Sequence, residues 1–204
     1  MSNPSTIPKT ARARGKIAPV KFAHIVFKTS NYEEMIRWYK TVLEAEPMTE
    51  TPVVTFLTYD DEHHRIAIAN MPDLAPIPPQ SVGVEHCAFT YDSLEDLFAT
   101  YERLVDLDIT PYWTINHGPT LSMYYRDPDN NQIELQVDLF ESIEATNRWF
   151  EQSDFDTNPI GVKFDPEDLI KRYRSGEAKE ELLVRRRIPA EEVAAQFPAP
   201  PETG

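Results

Sequence analysis

Two stretches of this chain share one pattern, apolar and β-branched residues set around a single histidine. They are Val20-Lys21-Phe22-Ala23-His24-Ile25-Val26-Phe27 and, 62 positions later, Val82-Gly83-Val84-Glu85-His86-Cys87-Ala88-Phe89. Both predict strands. After each, the spacing of apolar residues changes to that of a helix. Met35, Trp38, Tyr39, Val42 and Leu43 fall three and four apart, and so do Leu94, Leu97, Phe98, Tyr101 and Leu104. Ser30 or Asn31 can cap the first helix, with Glu33 and Glu34 at its positive end, and Asp92 or Ser93 the second. Phe27 matches Phe89, Glu33 matches Glu95, Met35 matches Leu97, Tyr39 matches Tyr101 and Leu43 matches Val105, so the chain reads as two copies of one unit.

The first copy continues with strands near 46–49, 52–59 and 64–70, a βαβββ order, and ends in the proline-rich connector 71–81. The second repeats that order with strand 82–91, helix 94–107 and strands 111–116, 120–125 and 132–138. Its last two strands form a hairpin around Asp127-Pro128-Asp129-Asn130-Asn131, where proline presets one turn dihedral and asparagine tolerates a left-handed one. Centred on Asp129, the hairpin sets Tyr124 across from Glu134, while Ile133, Leu135 and Val137 point to the other face from Gln132, Glu134 and Gln136.

From Phe140 the repeat is exhausted. Helical segments follow at 140–151 and 166–174, then the charged stretch 176–187 and an Ala-Pro-Pro tail. Phe150, Phe155, Ile160, Phe164, Leu169 and Ile170 make this extension too apolar to stay free, so it is expected to pack on the modules or on a partner subunit. Residues 1–19 carry Lys9, Arg12, Arg14 and Lys16 without an acid and read as a flexible arm. The predicted organisation is therefore an arm (1–19), a domain of two modules (20–72 and 82–139, together 20–140) and a C-terminal extension (141–204).

Charge and composition narrow the function. A net charge of -14 over 204 residues leaves no basic patch for nucleic acid. No apolar run reaches the roughly 18 residues that a membrane helix needs. One cysteine, Cys87, gives no internal disulfide, so the cytoplasm is the default compartment. Cys87 itself reads as a small apolar residue facing away from His86.

The repeat turns two histidines into a pair. His24 and His86 occupy equivalent strand positions, and Glu134 lies on the last strand of the second copy. Two imidazoles and one carboxylate are the ligand set of non-haem Fe(II) sites that keep positions open for substrate and dioxygen. Alone, a histidine in an apolar strand is more often a core residue bonded to a backbone carbonyl, and Glu134 alone could be an ion-paired strand residue. Aligning Arg65-Ile66-Ala67-Ile68 with Gln132-Ile133-Glu134-Leu135 puts Ala67 where the other copy has Glu134, so a fourth protein ligand is missing.

The paired βαβββ modules, the segment Tyr124-Tyr125-Arg126-Asp127-Pro128-Asp129-Asn130-Asn131-Gln132-Ile133-Glu134-Leu135 and the His, His, Glu set resemble the vicinal oxygen chelate superfamily over residues 20–140. Its glyoxalase branch carries a ligand where this chain has Ala67; its type I extradiol ring-cleaving dioxygenases do not. The resemblance implies an α+β fold of two paired modules in an open, barrel-like mixed sheet. It also implies Fe(II), or Mn(II) on the same ligands, held by His24, His86 and Glu134, with an aromatic diol and O2 as substrates. It matches three further residues: His64 as base and then acid, with Tyr124 and His117 hydrogen-bonding the bound diolate. A homodimer is implied as well.

The chain departs from that pattern in three places. It has one paired-module domain where the common bacterial enzymes have two, Asn130 stands for the usual turn glycine, and the stretch from His117 to Tyr124 is short. His64, three residues from Ala67, faces the metal only if the strand start bends. Tyr125 and Trp113 can either line a pocket or fill the core. Two rival functions share the fold: a metal-dependent isomerase or hydrolase that needs no oxygen, and a ligand-sequestering protein of the bleomycin-resistance kind.

Overall fold

The first repeated segment forms β1 (Ile25–Thr29), α1 (Tyr32–Leu43), β2 (Glu46–Glu50), β3 (Val54–Thr58) and β4 (Ile66–Asn70) in the computed structural model, which describes residues 10–76, 78 and 81–198. The second forms β5 (His86–Tyr91), α2 (Leu94–Val105), β6 (Trp113–Asn116), β7 (Thr120–Arg126) and β8 (Gln132–Asp138). The extension adds α3 (Ile143–Gln152), β9 (Val162–Lys163), α4 (Pro166–Arg174), α5 (Lys179–Leu182) and α6 (Ala190–Val193). Part of the expected arm (1–9), part of the connector (77, 79 and 80) and the end of the tail (199–204) lie outside the described residues.

The repeat expected from the sequence is present strand for strand. Two separate mixed sheets form, in the order β1-β4-β3-β2 and β5-β8-β7-β6-β9, so each copy places its first strand beside its last, and neither sheet closes into a barrel. β9 is an addition that the repeat does not contain. By contacts the chain divides into two units: one runs up to His86 and takes in Arg126–Gln132, and the other holds Cys87–Tyr125 and the chain from Ile133 on.

In the first unit, β1 runs parallel to β4 with Ile25 beside Ile66 and Val26 beside Ala67, and β3 runs antiparallel to β4. Met35, Ile36, Tyr39 and Val42 put one face of α1 into the core with Leu57, Ile66 and Ile68, each at most 4% exposed. Burial of that face, more than helix propensity, makes a twelve-residue helix stable. The β2–β3 register shifts between Pro47 and Thr49, where proline has no N–H for the ladder.

The turn Asp127–Asn131 belongs to this unit and is tied to it by one carboxylate. Asp127 Oδ1 accepts the N–H groups of Asp129 (3.0 Å) and Asn131 (2.8 Å), while Oδ2 accepts the Tyr39 hydroxyl at 3.0 Å and the Asn131 side-chain amide at 2.8 Å. Asn130 takes φ 65°, the left-handed conformation that lets it replace glycine.

In the second unit, Ser93 caps α2 by accepting the Asp96 N–H at 3.1 Å, and Leu97, Phe98 and Leu104 are buried beneath it. The extension packs on this module, as its apolar content predicts. β9 pairs with the outer edge of β6 (Asn116 beside Val162), and Asp165 caps α4, which starts with Pro166. Arg174 of α4 forms a fork on the Glu102 carboxylate of α2, at 2.6 and 2.8 Å. Gly161, at φ 121°, passes so close to β6 that a Cβ there would lie 2.3 Å from the Asn116 carbonyl oxygen.

Candidate functional site

His24 stands one residue before β1, and His64 sits just ahead of β4. The Ile25 N–H donates to the Arg65 carbonyl at 3.0 Å, which makes the two histidines neighbours across the parallel pair. Residues 61–63 and 65 form bends, and β4 becomes regular only at Ile66, so His64 lies ahead of the regular strand. The His64 ring packs 4.3 Å from that of His24 and stacks on Phe56 at 4.4 Å between centroids. Arg65 fixes the chain on both sides of this pair: Nη1 donates to the carbonyls of Phe22 (2.6 Å) and Ala23 (3.1 Å), and Nε to the Asp60 carboxylate.

Removal from water, and then the imidazoles of His24 and His63, hold the His64 pKa below its ordinary 6.5. His63, expected to be a solvated neighbour, is exposed and brings its Nδ1 to 2.5 Å from that of His64. One of these two nitrogens must carry a proton and the other a lone pair.

His86 opens β5 and is about a third exposed. Its Nδ1 meets the Glu85 carboxylate, whose other oxygen accepts the Gln132 side-chain amide at 2.8 Å. With Nδ1 on a carboxylate, Nε2 is the nitrogen that would face a cation, an orientation common among metal-bound histidines.

Within the second unit, Glu134 is 4% exposed on β8, and a carboxylate that deep is stable only with donors or a cation around it. The Asp127 N–H donates to the Asn131 carbonyl at 3.1 Å, closing the hairpin in a register that, continued evenly, sets Tyr124 across from Glu134. Tyr124 is 3% exposed, and its hydroxyl lies 3.0 Å from His117 Nε2. The structure thus brings together the two residues matched as diolate contacts. His117 Nδ1 meets the Ile160 carbonyl of the extension. A carbonyl only accepts, so Nδ1 carries the proton, and in the neutral ring Nε2 accepts from the Tyr124 hydroxyl.

Trp113 packs on Tyr124 (4.6 Å) and edge-on to His117 (5.8 Å), so it belongs to this aromatic cluster, whereas Tyr125 is 1% exposed and fills the core. Burial raises the Tyr125 pKa far above its usual value. The residues behind His117, namely Asp154, Asn158, Ile160 and Arg185, all come from the extension, and no motif or spacing in the chain marks them for this place.

Two imidazoles and a carboxylate suit a ferrous ion by donor chemistry. Among the described residues, no three His, Cys, Asp or Glu side chains are drawn together as a formed cage. Among those residues, too, no helix is long and apolar enough to cross a membrane.

Residues 21–135 match the family model of the Glyoxalase/Bleomycin resistance protein/Dioxygenase superfamily. The chain is 43% identical over 150 residues to a protein named biphenyl-2,3-diol 1,2-dioxygenase 2 of Rhodococcus globerulus, covering 73% of this chain and 79% of that one. It is 40% identical over 167 residues to biphenyl-2,3-diol 1,2-dioxygenase 3 of the same organism, covering 81% and 88%. A crystal structure of a glyoxylase/bleomycin resistance protein/dioxygenase domain from Frankia sp. EAN1pec shares the fold, with TM-score 0.50 at 17% identity over 59% of this chain and 99% of that one. With its duplicated βαβββ modules, this chain belongs to the glyoxalase/bleomycin resistance protein/dioxygenase superfamily.

Proposed function

We propose that this protein is an Fe(II)-dependent extradiol dioxygenase that opens the ring of a catechol-type diol beside its two hydroxyls. The observation that carries this reading is the 40–43% identity, over most of both chains, to two proteins named as biphenyl-2,3-diol 1,2-dioxygenases. Biphenyl-2,3-diol is therefore the first substrate to try. The ligand set is His24, His86 and Glu134, supported by their donor chemistry and by the equivalence of β1 with β5 in the repeat. The position of Glu134 in the other copy is Ala67, 1% exposed between Val26 and Phe56, which adds no fourth donor. A ferrous ion, or Mn(II) in its place, would supply one centre at which both diol oxygens and O2 bind.

The remaining chemistry falls to side chains. His64, its pKa held down by burial, is neutral near pH 7 and takes a proton from a diol hydroxyl, later returning it to the product. Tyr124 hydrogen-bonds the bound diol, and His117, whose Nδ1 is taken up by the Ile160 carbonyl and whose Nε2 accepts the Tyr124 hydroxyl, holds that hydroxyl in place. Because Tyr124 donates to His117 Nε2, its oxygen offers lone pairs to a substrate hydroxyl. The product is a ring-opened semialdehyde of the hydroxy-muconic type. A single thiol and ferrous chemistry suit the cytoplasm, and the enzyme is read as a homodimer, which sedimentation tests.

The deciding experiment is anaerobic loading with Fe(II), followed by a panel of catechols headed by biphenyl-2,3-diol, with oxygen uptake and visible absorbance recorded together. Oxygen consumption with a yellow product supports the reading. Turnover without oxygen would make the protein an isomerase or hydrolase, and tight binding without turnover a sequestering protein.

A further inference from the structure

One guanidinium joins the strand end that bears His117 to the turn that holds its imidazole. Arg185 Nη1 donates to the Asn158 carbonyl at 2.9 Å and to the His117 carbonyl at 3.3 Å, and Nη2 meets the Asp154 carboxylate. The Arg185 side chain is 1% exposed and lies 4.9 Å from the Trp149 ring, whose indole also fills the space over Gly118. A buried arginine with a carboxylate, two carbonyls and an aromatic face around it has a single geometry. Asp154 contributes twice, because its own carbonyl accepts the Thr157 and Asn158 N–H groups that begin the turn.

Asn158, fully buried, completes that turn. Its Oδ1 accepts the Ile160 N–H at 3.2 Å and the Gly161 N–H at 2.9 Å, and its Nδ2 donates to the Gly161 carbonyl at 2.9 Å. The peptide that presents the Ile160 carbonyl to His117 Nδ1 is thereby held at both ends. Arg185, bonded to the Asn158 and His117 carbonyls, ties the turn that carries that carbonyl to the strand end that carries the imidazole.

We propose that Arg185, braced by Asp154, is a positioning residue that fixes the tautomer and direction of the His117 ring, so that Nε2 stays on the Tyr124 hydroxyl. Its effect on turnover rests on the proposed contact of the diol with Tyr124, whose hydroxyl His117 holds; its effect on the ring does not. Arg185→Lys keeps the charge beside Asp154 but cannot span both carbonyls. The paired change Arg185→Met with Asp154→Leu removes both charges together, so that no buried carboxylate is left alone if the lysine variant folds poorly.

Two measurements test this. In the full chain without added metal, 15N shifts of the histidine rings report the tautomer: wild type shows His117 protonated on Nδ1, and Arg185→Lys shows a mixture of both forms. In the Fe(II)-loaded enzyme, Arg185→Lys lowers kcat by about 10–100-fold with KM little changed, a loss typical of misdirected side chains, and the same change made in a His117→Ala background costs nothing more. Unchanged 15N shifts in both the lysine and the paired variants, or an equal loss of rate in both backgrounds, would overturn the proposal. Altered shifts with full activity in both Arg185→Lys and His117→Ala would uphold the positioning and remove His117 from the reaction.

Discussion

Gly161→Ala isolates the junction on which the His117 environment depends. The added Cβ would lie 2.3 Å from the Asn116 carbonyl oxygen, 2.9 Å from His117 Cα and 3.0 Å from the Asn116 carbonyl carbon. All three are backbone atoms, so no side chain can swing aside. Holding alanine at φ 121° costs about 1–3 kcal/mol. Relief of the clash requires β9 to withdraw from β6 by about an ångström, loosening the pairing at Asn116–Val162 and Ile115–Lys163, where each weakened hydrogen bond forfeits about 1 kcal/mol. The expected loss is about 3–5 kcal/mol, large enough to be diagnostic. Urea unfolding measures it, and amide exchange at Val162 and Lys163 shows whether it begins at this edge. A loss under about 1 kcal/mol, with unchanged exchange at those two amides, would refute the account of β9 as a strand held by close approach.

Other outcomes follow from the same contacts. Tyr39→Phe removes one of four donors to Asp127 and lowers stability by about 1 kcal/mol in the same unfolding assay. Burial raises the Asp127 pKa above its ordinary 3.8, so the folded protein keeps that proton to higher pH than the unfolded chain does. The resulting stability is fully present below 3.8 and is lost as pH rises through the folded value; a carbon-detected titration of Asp127 with a midpoint at or below 3.8 would contradict this. His64→Ala lowers kcat by about 10²–10⁴-fold while iron stays bound, as separate metal analysis and oxygen uptake will show. Chelation abolishes turnover, and Fe(II) restores it.

How much of this was legible in the chain depended on periodicity. Two helices with matched apolar faces and two histidines at equivalent positions in the repeat are local signals, so the βαβββ order could be read, although the first strand of each copy starts later than expected, at Ile25 and His86, and residues 20–24 and 82–85 are not strand. The hairpin was legible too, because Asn130 and Pro128 state their dihedral preferences directly. Arg185 was not. It sits in a run with Arg186 and Arg187, both exposed, and nothing in the run distinguishes the one guanidinium that is buried. Ile160 acts through its main-chain carbonyl, which every residue type carries. The extension could be seen to be apolar enough to pack, yet pairing two residues of it as β9 depends on a close approach that only the folded backbone specifies.

The two modules end their sheets differently. β2 closes its own sheet with Pro47 and a register shift, features that discourage another strand from docking there. β6 has no such protection except β9. Shortening the chain ahead of Val162 would bare a regular ladder of unpaired amides on β6, and the fragment would be expected to self-associate through that edge and lose solubility well before its remaining core came apart.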